Sequence, residues 1–158
     1  MFERFSKDTR NAVRRSAELA ESEGTAMVEV EHLLTALVDP ATEDVGRALV
    51  SVGVTSNAIS EARERELQSA LALAGVRTTR SVSSAWRRVR RGPSTRFAPS
   101  AKLALERSLD IATNAGDRRI TNKVLALAII DARVGIVPRL LSELGTNPEQ
   151  LRQTIHNA

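Results

Sequence analysis

Displaced by 92 residues, the chain lies on itself without a gap. Phe5 falls on Phe97, Ala12 on Ala104, Arg15-Ser16 on Arg107-Ser108, Ala20 on Ala112 and Gly24 on Gly116. Further along, Leu33 meets Leu125, Ala36 meets Ala128, Val45 meets Val137, Leu49 meets Leu141 and Gly53 meets Gly145. Chance does not hold two glycines in register with a whole apolar set. A repeat of this kind implies two copies of one supersecondary unit that bury their apolar faces together. A unit of about 60 residues is marginal alone. The copies are therefore expected to pack as one domain about a pseudo-two-fold axis.

Each copy reads as four short helices, about eight in all. In the first copy a helix from about Ser6 to Glu23 puts Val13, Ala17 and Ala20 on one face, and Gly24 stops it. A second carries Val30, Leu33, Leu34, Leu37 and Val38 up to Asp39-Pro40, where proline prevents continuation. Val45, Ala48, Leu49 and Val52 make a third, ended by Gly53. Thr55 is a candidate N-cap for a fourth that runs toward Leu73. In the second copy Pro99 suits a first helical position, and Asn147-Pro148-Glu149-Gln150 reads as N-cap, N1 proline and capping-box partner. The organisation expected is an all-α chain with repeat one at 1–73, a linker at 74–96 and repeat two at 97–158. Aromatics are only 3% of residues, so Leu, Val, Ile and Ala must build the core, which suits packed helices better than a β-sandwich.

The linker is basic. From Leu67 to Leu105 there is no Asp or Glu, while Arg77, Arg80, Arg87, Arg88, Arg90, Arg91 and Arg96 all occur. Two readings stand: a solvated loop, or an electrostatic footprint for an acidic partner or nucleic acid. The second predicts salt-dependent DNA binding that is lost when Arg87, Arg88, Arg90 and Arg91 become Ala. Trp86 either anchors this loop on the core or stacks on a base, and a lone aromatic fits anchoring better.

Catalytic signatures are missing. There is no Walker A, GxGxxG, GxSxG or HExxH pattern. The two histidines, His32 and His156, lie far apart, and His32 reads as a core or helix-start residue rather than a ligand. Glu61, Glu64 and Glu66 alternate with arginines and read as a solvated face with ion pairs of about 0.3 kcal/mol each. With no cysteine, disulfides and thiolate metal sites are excluded and a reducing, cytoplasmic setting is expected. No apolar run approaches the roughly 18 residues of a membrane span, and Met1–Phe5 is not a signal-peptide core. Neither enzyme activity nor a cofactor is expected.

Four motifs carry a resemblance. They are Met1-Phe2-Glu3-Arg4-Phe5-Ser6, Val28-Glu29-Val30-Glu31-His32-Leu33-Leu34, Ser51-Val52-Gly53-Val54 and Phe97-Ala98-Pro99-Ser100-Ala101-Lys102. In this order the chain resembles, over nearly its whole length, the double Clp-N repeat of ClpC-type Clp unfoldases, with a longer and more basic linker and without the ATPase modules. The resemblance implies a stand-alone or excised binding module of the Clp proteolytic system. Its implied partners are cyclic peptides such as cyclomarin, arginine-phosphorylated or misfolded proteins, and Clp unfoldase or protease components. It could serve as an adaptor, or as a decoy competing for the unfoldase's ligands.

Site residues follow from the same resemblance. Phe2, Arg10, Val13, Phe97, Lys102 and Glu106 match the family's cyclic-peptide groove. Ser6 and Glu31 match a phosphoarginine site, in which a helix N-terminus receives phosphate and a carboxylate holds the guanidinium. Val30 stands where the family has a capping threonine. In the second copy the corresponding positions are Ala98 and Lys123, and a lysine repels a guanidinium.

Overall fold

The computed structural model describes residues 2–38, 44–77 and 96–158. A 3-10 turn, Phe2–Arg4, precedes α1 (Lys7–Ser22), α2 (Val30–Leu37), α3 (Asp44–Ser51) and α4 (Ser56–Leu73). The second copy supplies α5 (Pro99–Asn114), α6 (Asn122–Ile130), α7 (Ile136–Glu143) and α8 (Pro148–His156). The four helix starts of copy one recur in copy two at the 92-residue displacement. No strand is present among the described residues.

Local chemistry explains the boundaries. Ser6 caps α1 by accepting the Thr9 N–H at 3.1 Å, Thr55 caps α4 through Ala58, and Asn147 Oδ1 accepts from Glu149 and Gln150 ahead of Pro148. At the C-terminal ends Gly24 and Gly116 adopt φ 70° and 74°. The following N–H groups then reach back to Ala20 and Ala112 carbonyls at 2.9 and 2.8 Å, closing the same Schellman turn in each copy. One position differs from expectation. The cap of α2 is Glu29, not residue 30, so the missing threonine at Val30 removes no capping group.

The two copies interlock rather than abut. Each fourth helix packs on the other copy's third: α4 on α7, and α8 on α3. The first helices likewise reach across, α1 to α6 and α5 to α2. One continuous core results, with Leu33, Leu34, Leu49 and Ile59 of copy one among Leu105, Leu125, Ile129 and Leu141 of copy two. Ser16 and its equivalent Ser108 are both fully buried, and each hydroxyl donates to the carbonyl three residues earlier at 2.6 Å. Buried hydroxyls thus cost little at this symmetric position.

Two short parallel bridges stitch the copies together, Phe5 with Ile120 and Val28 with Phe97. They are symmetry mates, since Phe5 corresponds to Phe97 and Val28 to Ile120. Ser6 N–H donates to the Ile120 carbonyl at 2.9 Å and Ile120 N–H to the Arg4 carbonyl at 2.8 Å. Their counterparts are Ala98 N–H to Val28 at 2.9 Å and Val28 N–H to Arg96 at 2.8 Å. These bonds place the residues entering α1 and α5 along a common seam.

The charged face of α4 is less solvated than its sequence suggests. Glu61 does pair with Arg65 at 3.8 Å one turn on. Glu66, however, is half-buried and pairs with Arg139 of copy two at 2.9 Å, and Arg65 also reaches Glu143 at 3.2 Å. The register of α7 against α4 places these partners, which local spacing does not reveal.

Candidate functional site

The seam collects all three phenylalanines of the protein. The Phe2–Arg4 turn is closed by Phe5 N–H donating to the Phe2 carbonyl at 3.1 Å. Arg4 anchors it to copy two, donating to Thr113 Oγ1 at 3.0 Å and the Asp117 carbonyl at 2.8 Å. So held, the Phe2 ring lies 5.4 Å from Phe5 and 6.2 Å from Phe97, centroid to centroid, both in tilted geometry. Phe5 is 2% exposed and belongs to the core, whereas Phe2 remains 43% exposed. Phe97 is half-buried.

The other groove residues divide. Arg10 and Lys102 occupy equivalent positions in the first turns of α1 and α5, and both are exposed. Glu106 is exposed one turn beyond Lys102. Val13 is buried in the shared core and presents little surface. The structure thus brings Phe2 and Phe97 together, leaves Arg10 and Lys102 exposed on the first turns of α1 and α5, and buries Val13 in the core.

Ser6 and Glu31 belong to different junctions. Ser6 lies on the bridge to Ile120, and its hydroxyl is engaged with Thr9 at 2.8 Å. The start of α2 instead faces α5: Val30 N–H donates to Ser100 Oγ at 3.3 Å, and the Ser100 hydroxyl donates to Glu29 at 2.6 Å. Glu31 itself is 5% exposed and pairs with Arg63 of α4 at 3.4 Å, leaving its Oε2 without a hydrogen bond. Lys123, the second-copy counterpart, donates to the His156 carbonyl at the end of α8.

Around Glu31 sits a partly buried polar cluster that sequence reading missed. Arg63 Nη1 donates to Glu23 Oε2 at 2.7 Å. His32 Nδ1 accepts the Glu29 N–H at 2.8 Å, so its Nε2 carries the proton and donates to Glu23 at 3.2 Å. Partial burial raises the Glu23 carboxyl pKa, but the bonds from His32 and Arg63 outweigh this and hold it at about 2. For Glu31 burial wins over Arg63, and its carboxyl is pushed up. Arg63 loses water to burial, yet Glu23 and Glu31 hold its guanidinium more firmly protonated. Copy two has Ala115, Val124, Lys123 and Ile155 at the equivalents of Glu23, His32, Glu31 and Arg63, so the cluster is unique to copy one.

A second concavity lies elsewhere. A cavity of ≈540 Å³ opens between α5, α6 and α8, floored by Ile111 and Leu127 and rimmed by Asp131, Arg152 and His156. Its neighbour of ≈630 Å³ shares Asp131 and Arg152, whose ion pair divides the two. None of the residues matched to a ligand site lines either one. Of the linker arginines, Arg77 and Arg96 are described and exposed; Arg80, Arg87, Arg88, Arg90, Arg91 and Trp86 lie outside the described residues. No described group of three or more His, Cys, Asp or Glu is placed to hold a metal, and no described helix is long and apolar enough to cross a membrane.

Two interlocked four-helix copies with an aromatic seam define a class of all-α, pseudo-two-fold domain. The family model described as Clp repeat (R) N-terminal domain matches residues 4–91 and 96–158, and the chain belongs to that family. Among curated relatives, chaperone protein ClpB of Oceanobacillus iheyensis is 26% identical over 98% of this chain and 17% of its own length. The chloroplastic chaperone ClpC2 of Arabidopsis thaliana is 25% identical over 98% of this chain and 14% of its own. The chain therefore spans less than a fifth of these relatives. Among solved structures, the N-terminal domain of ClpD from Arabidopsis thaliana superposes with TM-score 0.68 at 23% identity, covering 99% of this chain and 98% of that one. The Hsp104 N-terminal domain from Candida albicans gives 0.65 at 13% identity, over 96% and 88%.

Proposed function

We propose that the chain is a non-catalytic peptide- and protein-binding module of the Clp proteolytic system, and that its ligand surface is the aromatic seam. One observation carries the reading: the Phe2 ring is held half out of the protein, against Phe97, by a turn that Arg4 ties to the other copy. The half-exposed Phe2 ring, tilted against the half-buried Phe97, offers apolar area that a ligand covers on binding. Arg10, Lys102 and Glu106 supply polar and charged groups beside it. The ligands that fit are cyclic peptides such as cyclomarin and apolar segments of misfolded proteins.

Arginine-phosphorylated segments are the second ligand class. The α1 N-terminus beside Ser6 suits a phosphate. A ligand guanidinium at Glu31 has to compete with Arg63, which already holds that carboxylate. In the Clp system the domain acts as a decoy or an adaptor for the ClpC unfoldase. An adaptor touches the unfoldase ring; a decoy only lowers the free ligand concentration. The nucleic-acid alternative falls on the linker, and loss of salt-dependent DNA binding on replacing Arg87, Arg88, Arg90 and Arg91 by Ala is the result that would support it.

Calorimetric titration with cyclomarin tests the proposal, using wild type and a Phe2→Ala, Phe97→Ala double variant. Binding by wild type that the double variant loses supports the seam. No binding by folded wild type rejects cyclic peptides as its ligands and turns attention to phosphoarginine peptides.

A further inference from the structure

The two fourth helices begin at equivalent positions and end at different ones. α4 starts at Ser56 and α8 at its counterpart Pro148, but α8 stops at His156, whereas α4 continues past the equivalent Glu64 to Leu73. Packing on α7 accounts for α4 as far as Glu66, which pairs with Arg139. Beyond it, residues 67–76 carry no charge, and Ala70, Ala72, Leu73, Ala74 and Val76 are all exposed. Leu73 is 90% exposed, the most of any described large apolar residue.

This tail is a finished helix end. Gly75 turns at φ 77°, its N–H donates to the Ala72 carbonyl at 3.0 Å, and the Val76 N–H donates to the Leu71 carbonyl at 2.9 Å. That is a complete Schellman turn, which satisfies the last carbonyls and folds Val76 back toward the helix. So ended, α4 presents Leu73 at a fixed place, among alanines that let another surface approach closely.

Beside the end of α8 lies the reverse feature. The ≈540 Å³ cavity there has Ile111 and Leu127 as its floor and Gln153 and His156 on its wall, and its size falls in the range of about 300–1,000 Å³ typical of binding pockets. Charge differs between the copies at the same places. Copy one has Glu31, Glu61 and Glu64 where copy two has Lys123, Gln153 and His156, and Ser60 where copy two has Arg152. Arg63 and Arg65 of α4 are held by Glu23, Glu31 and Glu143, so the surface leading to the tail is acidic in sum. Around the cavity, Asp131 and Glu149 balance Arg152, and Lys123 and Arg133 add positive charge. Two tails or two cavities therefore repel, while a tail and a cavity attract.

We infer that the exposed end of α4 docks in the α5–α6–α8 cavity of a second copy of this chain, with Leu73 on Ile111 and Leu127 and the acidic face of α4 toward Lys123 and Arg133. Each copy has one tail and one cavity, so two copies in reciprocal contact use both and close as a dimer. No seam residue takes part, and the contact stands or falls independently of the seam reading.

Sedimentation equilibrium of the full chain from about 5 to about 500 µM tests the contact. Wild type is expected to move from 17.2 kDa toward twice that mass. Leu73→Asp removes the anchor of the tail at a position outside the core. Gln153→Glu, His156→Glu gives the cavity wall the carboxylates of copy one. Both changes fall on exposed residues, so circular dichroism is expected to be unchanged, and each is expected to raise the dimer dissociation constant at least about tenfold. In a mixture of the two variants, each mixed pair keeps one intact tail and one intact cavity, and the mixture is expected to associate more than either variant alone. Wild type that stays monomeric throughout the range overturns the inference and leaves the tail and the cavity to other partners. Undiminished association of either variant, or a mixture no better than its components, also overturns it.

Discussion

The guanidinium of Arg63, midway along α4, donates to the Glu23 carboxylate just past the end of α1 at 2.7 Å. The same carboxylate accepts a hydrogen bond from His32 Nε2–H at 3.2 Å, so a single acid joins three segments of copy one. Its pKa of about 2 lies below the ordinary carboxylate value of 4.5, so its contribution to stability is present above about 4.5 and is lost as pH falls through about 2. Glu23→Gln is expected to lower stability at neutral pH by about 1 kcal/mol, a figure discounted because the carboxylate is partly exposed. Chemical denaturation at neutral pH and near pH 2 checks this, and the difference between variant and wild type shrinks in acid.

Glu31 runs the other way. Its raised carboxyl makes ionisation a cost to the fold: stability from this group is full below the unfolded pKa and declines as pH rises through the folded one. Its Oε2 has no hydrogen-bond partner. Glu31→Gln is therefore expected to be neutral or stabilising by up to about 1 kcal/mol at neutral pH, since Arg63 keeps Glu23. Thermal melts of the two Gln variants side by side test the opposite signs.

The phenylalanines differ in the same way. Phe5→Ala empties a fully packed core site and is expected to cost about 3–5 kcal/mol. Phe2→Ala removes a half-exposed ring and is expected to cost at most about 1 kcal/mol. A Tm drop for Phe5→Ala without one for Phe2→Ala checks the assignment of core and surface.

Interlocking predicts joint folding. Because α4 packs on α7 and α8 on α3, residues 1–77 alone leave the apolar faces of Leu33, Leu34 and Leu49 without their partners. That fragment is expected to show little helical circular dichroism in isolation and to gain it when mixed with residues 96–158.

Much of the architecture was legible in the sequence because the repeat keeps its punctuation. Gly24, Gly53, Thr55, Pro99 and Asn147 act within a few residues of themselves, so their roles follow from local spacing. What the sequence could not show are partners chosen by the interlock. Ser6 and Glu31 share a copy yet sit at different junctions, because the segment before α1 bridges to Ile120 while the start of α2 faces α5. Arg63 looks like one more charge on α4 until the fold carries it to Glu23 and Glu31. One signal was available: Glu23, His32, Glu31 and Arg63 all lose their chemistry together in the second copy.

Amide chemical-shift mapping of the folded domain with cyclomarin tests the central claim most directly, because it sets the seam against the cavity at the other end of copy two. Shifts concentrated on Phe2–Arg10 and Phe97–Glu106 are the expected result. Shifts confined to Ile111, Leu127, Arg152 and His156, with the seam unmoved, contradict it.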